Sequence, residues 1–196
     1  PATGTRSPAG QALTQRAGHT ATLLADGTVW IAGAVDPATG ALVPTTERYD
    51  PASETFTADA TLRFPRSLHA AVALADGTVL LLGGDDANGP VPTAERYDPT
   101  TSTTTTAGDL VTPRAFAKAV LLLDGSVLTA GGIAITGATD RIEVWLPTTG
   151  TWREWSSRLP APRTGHSLHV APDGTVPLRG GDSGGGSPQP TCWLLD

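Results

Sequence analysis

The chain has 196 residues, a mass of 20.0 kDa, a formal net charge of −6 and an isoelectric point near 5.1. This acidic balance argues against nucleic acid and anionic membranes as partners, because both attract basic surfaces. The single cysteine, Cys192, excludes an internal disulfide framework and a zinc site built from several cysteines. We therefore expect no nucleic-acid partner, and no membrane insertion, since no apolar run has membrane-spanning length.

Four segments of the sequence share one outline, in which an arginine is followed ten residues later by an Asp-Gly or Asp-Gly-Thr-Val stretch. The arginines are Arg16, Arg66, Arg114 and Arg163, and the aspartates are Asp26, Asp76, Asp124 and Asp173. The aspartates are 50, 48 and 49 residues apart, which indicates an internal repeat.

Each repeat predicts a four-stranded antiparallel sheet. The first strand is an apolar run that ends at Asp-Gly, a dipeptide that adopts the positive φ angles of a tight hairpin turn. A second apolar strand follows the turn and ends at small residues. A variable loop then leads to a third strand, and a Pro-x-x turn leads to a fourth. A first strand is predicted at 19–24, and second strands are predicted at 29–32, 79–82 and 127–130. Third strands are predicted near 46–50, 94–98 and 142–146, and a fourth strand near 151–155.

Two parts of the chain depart from this outline. In the last repeat Pro177 and Arg179 interrupt the second strand, and a proline there predicts a bulge or another local distortion. At the other end, residues 1–5 resemble residues 51–55, which open a fourth strand. We therefore predict that the N-terminal segment 1–12 completes the last sheet and removes its exposed edge.

These residues resemble the kelch repeat, in the version found in large secreted bacterial proteins. The matching marks are Arg-x-x-His, Asp-Gly-Thr-Val, Gly-Gly and the Glu-Arg-Tyr-Asp-Pro segments at 47–51 and 95–99. The resemblance implies an all-β β-propeller of four-stranded blades and an extracellular or cell-surface bacterial location. We predict one domain over 1–196, with blades at 16–62, 66–110, 114–159 and 163–196. A closed four-bladed ring, an eight-bladed homodimer joined by strand exchange and a fragment of a larger kelch protein remain open alternatives.

Two apparent enzyme signatures do not predict an enzyme. The Gly-Asp-Ser-Gly spelling at 181–184 resembles a serine-protease loop, but Gly180-Gly181 are the diglycine of the repeat, and no independent base accompanies Ser183. Galactose-oxidase-type propellers are distantly similar, and their copper chemistry needs a cysteine crosslinked to a tyrosine. Here Tyr49 and Tyr97 are repeat residues, and Cys192 belongs to a different blade from both. We therefore expect no catalytic activity and no cofactor.

The repeat arginines have two interpretations. Glutamates on three of the third strands, Glu47, Glu95 and Glu143, are positioned to pair with them, which favours ion pairs that hold the blades together. In the alternative, the arginines Arg16, Arg66, Arg114 and Arg163 form a ring of donors for an anionic ligand at the channel mouth. In the last blade Trp193 takes the glutamate position, and Arg179 is a further candidate for ligand contact.

The variable loops are the predicted binding surface, because function on a rigid scaffold is usually carried by such loops. Both the loops after the second strands and those before each arginine are expected on one face. They contain the acidic candidates Asp36, Asp85, Asp86 and Asp182. The predicted partner at this face is a protein or, alternatively, a glycan. The tryptophans Trp30, Trp145, Trp152, Trp155 and Trp193 would be stacking surfaces for sugars or, as we favour, packing residues between blades.

The repeat histidines give a weak alternative, a metal site. Equivalent positions in successive blades lie on a circle, so His19, His69 and His166 would converge on the axis. Ala117 breaks this set, which favours a structural role for the histidines and no bound metal.

Overall fold

The structure is a computed structural model that describes residues 10–184, 188 and 190–195. Residues 1–9 of the predicted closing segment 1–12 lie outside the described residues, and residues 10–12 are not part of a strand. Within the described part of the chain, no helix is long and apolar enough to cross a membrane.

The fold is all-β, and its main strands form one antiparallel sheet for each repeat. Blade 1 consists of β1 (Thr20–Leu23), β2 (Val29–Ala32), β3 (Thr45–Asp50) and β4 (Thr55–Thr61). Blade 2 consists of β5 (Ala70–Ala73), β6 (Val79–Leu82), a loop hairpin of β7 (Asp85–Asp86) and β8 (Gly89–Pro90), then β9 (Thr93–Asp98) and β10 (Thr103–Asp109). Blade 3 consists of β11 (Lys118–Leu121), β12 (Val127–Ala130), a loop hairpin of β13 (Ile133–Ala134) and β14 (Gly137–Ala138), then β15 (Ile142–Leu146) and β16 (Thr151–Glu154). Blade 4 consists of β17 (Ser167–Leu168), β18 (Val176–Arg179) and β19 (Cys192–Leu195).

The predicted strands are confirmed in blades 1 to 3. The second strands β2, β6 and β12 have the predicted bounds, and the other predicted strands differ from the observed ones by one residue at most at an end. The Asp-Gly turns close as expected: at the first of them Gly27 has φ +86°, and the Leu24 N–H donates to the Thr28 carbonyl over 2.8 Å. The repeat therefore encodes each hairpin locally.

The predicted distortion of blade 4 is confirmed in the form of a shortened ladder. The strands β1, β5 and β11 each pair over four residues with their neighbour, whereas β17 pairs with β18 only at Ser167–Arg179 and Leu168–Leu178. The ladder ends where Pro177 would be the next paired residue, because proline has no N–H to donate. On its other side β18 pairs with β19 over four residues without a register shift.

The blades pack in chain order. The inner strand β5 lies between β1 and β11, and β11 in turn contacts β17. Apolar clusters fill the three spaces between successive blades. Between blades 1 and 2, the ring of Trp30 stacks on that of Tyr97 with centroids 3.9 Å apart and planes 6° apart. Burial between sheets thus supplies the core, as expected for stacked blades.

A backbone hydrogen bond at the repeat arginine joins each blade to the next. The N–H of a residue after the second strand donates to the carbonyl of the following blade's arginine. The three bonds are Ala34 to Arg66 (2.9 Å), Gly84 to Arg114 (2.8 Å) and Gly132 to Arg163 (2.8 Å). The same arginine thus takes part in holding two blades, through its carbonyl and through its side chain.

Candidate functional site

The variable segments emerge on one face of the array, as predicted. In every blade the residue after the arginine pairs with a residue just beyond the second strand, and these bridges are Ala17–Val35, Ser67–Asp85, Ala115–Ile133 and Thr164–Asp182. We call this surface the loop face. It consists of residues 13–19, 33–44, 63–69, 83–92, 111–117, 131–141, 160–166 and 180–184.

The last of these bridges also explains the protease-like spelling. Asp182 pairs with Thr164 in the way that Asp85 pairs with Ser67, so the Gly-Asp-Ser-Gly stretch is the repeat diglycine followed by a loop. The prediction that Ser183 belongs to a repeat loop is confirmed.

Loops of neighbouring blades adjoin one another on the loop face. A Cβ on Gly89 in the blade 2 hairpin would lie 3.9 Å from Cδ1 of Ile135 in the blade 3 hairpin. A Cβ on Gly184 in blade 4 would lie 3.3 Å from the Cβ of Ala138. Ile135 nevertheless remains 83% exposed. The loops of blades 2 to 4 therefore form a continuous surface with an isoleucine side chain projecting from it.

A strained aromatic residue lies beside these hairpins. The second residue after each repeat arginine has a positive φ, with glycine in two blades and Leu68 and Phe116 (φ +56° each) in the others. Backbone bonds connect these positions: Leu68 N–H donates to the Gly18 carbonyl over 2.8 Å, and Phe116 N–H donates to the Leu68 carbonyl over 2.9 Å. A bulky residue in this region is disfavoured by about 1 kcal/mol or more. Phe116 is also 44% exposed, so neither backbone preference nor burial accounts for a phenylalanine there.

The predicted arginine–glutamate pairs are confirmed in blades 1 to 3. Arg16 contacts Glu47 at 2.9 Å and Arg66 contacts Glu95 at 3.0 Å, and the third pair is Arg114–Glu143. Each glutamate also accepts backbone N–H groups from the segment before the arginine, from residues 13, 63, 64, 111 and 112. Burial lowers the pKa of Arg66 and of Arg114, and the adjacent glutamate opposes that shift. These guanidinium groups lie inside the blades, with donors used by glutamate and backbone carbonyls.

Blade 4 keeps the arginine but not the glutamate. Trp193 pairs with Leu178, which is the register position of the glutamates in the other blades. Arg163 is buried and donates to the Gly180 carbonyl at 3.0 Å and to Thr191 Oγ1 at 3.2 Å. Its Nε has no hydrogen-bond partner, and no carboxylate of the described residues pairs with it. The other candidate arginine of this blade, Arg179, is exposed on β18.

The candidate aspartates mainly shape their own loops. Asp36 accepts from the Ala38 N–H at 2.8 Å and from Thr39, and these bonds lower its pKa. Asp86 accepts from the Asn88 N–H, and Asp182 from the Gly184 N–H, both at 2.6 Å. Asp85 differs, since its Oδ1 is buried without a hydrogen-bond partner in the described structure. The carboxylates nevertheless give the loop face a negative character.

The structure does not bring the three repeat histidines together as a metal site. Within the described residues, no group of three or more His, Cys, Asp or Glu side chains is arranged to hold a metal ion. His69 and His166 are buried, whereas His19 is exposed. Burial, together with nearby Arg66, lowers the pKa of His69 to about 3. Burial, with Lys118 and Arg163 nearby, lowers the pKa of His166 to about 4.

Three of the five tryptophans are packing residues, as favoured. Trp30, Trp145 and Trp152 are buried in the clusters between blades. The other two, Trp155 and the partly exposed Trp193, line a cleft of about 290 Å³ together with Arg158 and Pro160. The ring of Tyr97, one of the two tyrosines considered above for oxidase chemistry, stacks on that of Trp30.

A comparison with models of protein families identifies one of these blades as a known repeat. The model of the kelch motif matches residues 65–103, from the residue before Arg66 to the first residue of β10. The chain carries a kelch repeat. Blade 2 is that repeat, and because the other blades share its arginine, its Asp-Gly turn and its strand order, the all-β structure supports a kelch-repeat β-propeller architecture. The comparison with curated proteins gave no match.

Kelch repeats are generally non-catalytic scaffolds that mediate contacts between proteins. The exposed apolar residues Phe116 and Ile135 on the loop face were not predicted from the sequence. The sequence did contain a signal for Phe116. The equivalent positions in two other repeats hold Gly18 and Gly165, and glycine there marks a backbone position that requires positive φ.

Proposed function

We propose that this protein is a non-catalytic binding module that holds a protein partner on its loop face. The observation that carries the proposal is that Phe116 and Ile135 are exposed on this one face, as are Leu13, Phe64 and Val111. Exposed apolar groups within a polar rim are typical of protein-binding surfaces, and aromatic anchors contribute much of the binding energy there. The strained backbone of Phe116 supports the same interpretation, since strain is retained at sites of function.

The surroundings of these residues define the chemistry of the partner. The carboxylates of Asp85, Asp86 and Asp182 lie in the adjoining loops of blades 2 and 4 and add negative charge to the face. A complementary partner segment carries an apolar side chain for the Phe116–Ile135 surface and Lys or Arg beside it. We propose such a basic, partly apolar polypeptide as the ligand class.

A displayed library of random peptides tests this proposal. Peptides selected on the wild-type chain are expected to contain an aromatic or aliphatic residue next to Lys or Arg. They are expected to bind an Ile135→Ser variant at least about tenfold more weakly, the loss of one apolar anchor. The matched control is Leu123→Ser, because Leu123 is 73% exposed at the Asp124-Gly125 turn, away from the loop face. Peptides that bind Ile135→Ser as well as wild type would contradict the proposal.

A glycan ligand is the second candidate, favoured by the cleft between Trp155 and Trp193. Two tryptophan rings beside Arg158 offer stacking and hydrogen bonding to a sugar. A glycan array on the wild-type chain tests it, with Trp155→Ala as the variant expected to lose any binding. No hits over a broad panel would remove this candidate and leave the protein-binding proposal unaffected.

A further inference from the structure

The contacts between blades differ in the side chain that fills their inner end, close to the repeat arginine. Between blades 1 and 2, the imidazole of His69 lies beneath the backbone of blade 1, where a Cβ on Gly33 would lie 2.5 Å from its Cε1. Its Nε2 forms a hydrogen bond of 2.8 Å with Oγ1 of Thr20, the first residue of β1. Between blades 3 and 4, a Cβ on Gly131 would likewise lie 2.6 Å from Cε1 of His166. A histidine ring therefore occupies both of these contacts.

The contact between blades 2 and 3 has no such ring. Ala117 stands at the histidine position of blade 3, and Ala70 stands at the register position that Thr20 has in blade 1. The three atoms nearest to a Cβ on Gly83 all belong to Arg114, its carbonyl oxygen at 2.4 Å, its carbonyl carbon at 3.5 Å and its Cγ at 3.6 Å. Two alanines thus replace the imidazole and its hydrogen-bond partner. The structure describes every residue from 66 to 159, so both blades of this contact are complete.

A cleft of about 190 Å³ lies at these alanines. It spans the inner strands β1, β5 and β11, which lie side by side. Thr20 and Lys118 border the cleft, and four small side chains line it: Ala70, Ala71, Ala117 and Ala119. Sites for drug-sized ligands measure about 300 Å³ or more, so the size of this cleft suits a ligand of one ring.

Lys118 gives the cleft a positive charge that the described residues do not balance. It is the only lysine of the chain and lies exposed at the start of β11. No carboxylate of the described residues pairs with it, and no Asp or Glu lines the cleft. Burial, with Lys118 and Arg163 nearby, lowers the pKa of His166 to about 4, so this neighbour is uncharged at neutral pH. The charge of the cleft therefore favours an anionic ligand.

We propose that this cleft binds a small aromatic carboxylate. The ring of the ligand takes the place of the missing imidazole, against the methyl groups of Ala70 and Ala117. Its carboxylate lies beside the ammonium group of Lys118, where a charge-assisted hydrogen bond forms. This inference goes beyond the proposed binding of a protein partner and does not depend on it.

Benzoate is the probe that tests the proposal, and benzamide is the matched control compound, because it has the same ring without the charge. Binding is followed by NMR, through the chemical shifts of the Ala71 and Ala119 amides. Benzoate is expected to shift them saturably and to bind the wild-type chain at least about tenfold more tightly than benzamide does. In Lys118→Gln, which removes the charge, benzoate is expected to bind no better than benzamide.

Ala117→His tests the place of the ring. The repeat carries histidine at this position in blades 2 and 4, so the variant is expected to fold, which thermal unfolding checks. It retains Lys118 but fills the cleft, and benzoate binding is expected to weaken at least about tenfold. Ala73→His is the matched control, because Ala73 lies at the other end of β5 and is exposed.

Three results would overturn the proposal. The first is a wild-type chain that shows no saturable benzoate binding, or shifts only at amides outside the cleft. The second is benzoate binding that Ala117→His leaves unchanged, since the ring would then lie elsewhere. The third is a preference for benzoate over benzamide that Lys118→Gln retains.

Discussion

Arg66 and Glu95 form an ion pair that is closed to water: Nη2 lies 3.0 Å from Oε1, and both side chains are 0% exposed. The glutamate also accepts the N–H groups of Arg63 and Phe64 at 2.8 and 3.1 Å. It therefore fixes the segment that enters blade 2 as well as the guanidinium group. Because the pair is desolvated, removing the charge of one partner leaves the other charge buried and uncompensated, which strongly lowers the free energy of unfolding.

Glu95→Gln is expected to destabilise the fold by about 3 kcal/mol, because it leaves the buried Arg66 without a counter-charge. The measurement is urea unfolding of the variant and the wild type. Glu154→Gln is the control, since its pair with Arg141 is partly exposed and is worth about 1 kcal/mol or less. Equal losses of unfolding free energy in the two variants would mean that the buried pair matters no more for stability than the partly exposed one.

Blade 4 gives the complementary test. Trp193→Glu restores the repeat glutamate beside Arg163, whose Nε has no partner, and is expected to raise the free energy of unfolding by about 1 kcal/mol. Trp193→Gln has the same length without the charge and should not reproduce the gain. A loss of stability in the glutamate variant relative to the glutamine variant would show that Arg163 does not take a carboxylate partner.

The stability of the protein should depend on pH through His69. Its pKa is about 3 in the fold against 6.5 for an ordinary histidine, so between these values the unfolded chain binds the proton more readily. The stabilisation is fully present above pH 6.5 and is lost as the pH falls. From pH 7.5 to pH 5 the expected loss is about 2 kcal/mol, at 1.4 kcal/mol per pH unit below 6.5.

Thermal unfolding of wild type and His69→Gln over that pH range checks this prediction. Gln can still bond to Thr20, which contacts Nε2 of His69 at 2.8 Å. Ala117 occupies the same position in blade 3, so a blade can form without an imidazole there. The variant should lose most of this pH dependence and retain the part that arises from His166. An unchanged slope would rule out His69 as its source.

The sequence predicts the sheets well because each hairpin is encoded locally. The Asp-Gly turns and the apolar runs on either side fix β1 with β2 and β5 with β6, and the repeat spacing brings Arg66 and Glu95 to one place. The two loop hairpins were missed, although Asn88-Gly89 is a turn signal of the same kind. They lie in loops that differ between repeats, where no periodic pattern guides the assignment.

The exposed residues of the loop face were harder to predict. Ile135 lies in a loop whose length and sequence differ between the repeats, and its exposure depends on how the blade 2 and blade 3 hairpins adjoin. The angle between successive blades was also beyond sequence reasoning, because it is set by packing such as that of Trp30 on Tyr97. Composition and spacing do not determine that angle.

The most direct test of binding at the loop face is a paired measurement on Phe116→Gly. Glycine relieves the positive φ of this position, and the aromatic ring is 44% exposed, so thermal stability should be unchanged or higher. Binding of library-selected peptides should fall at least about tenfold, as for loss of an aromatic anchor. Greater or equal stability with lost binding is the predicted result. Unchanged peptide binding, or a fall in stability with no specific loss of binding, would contradict the account.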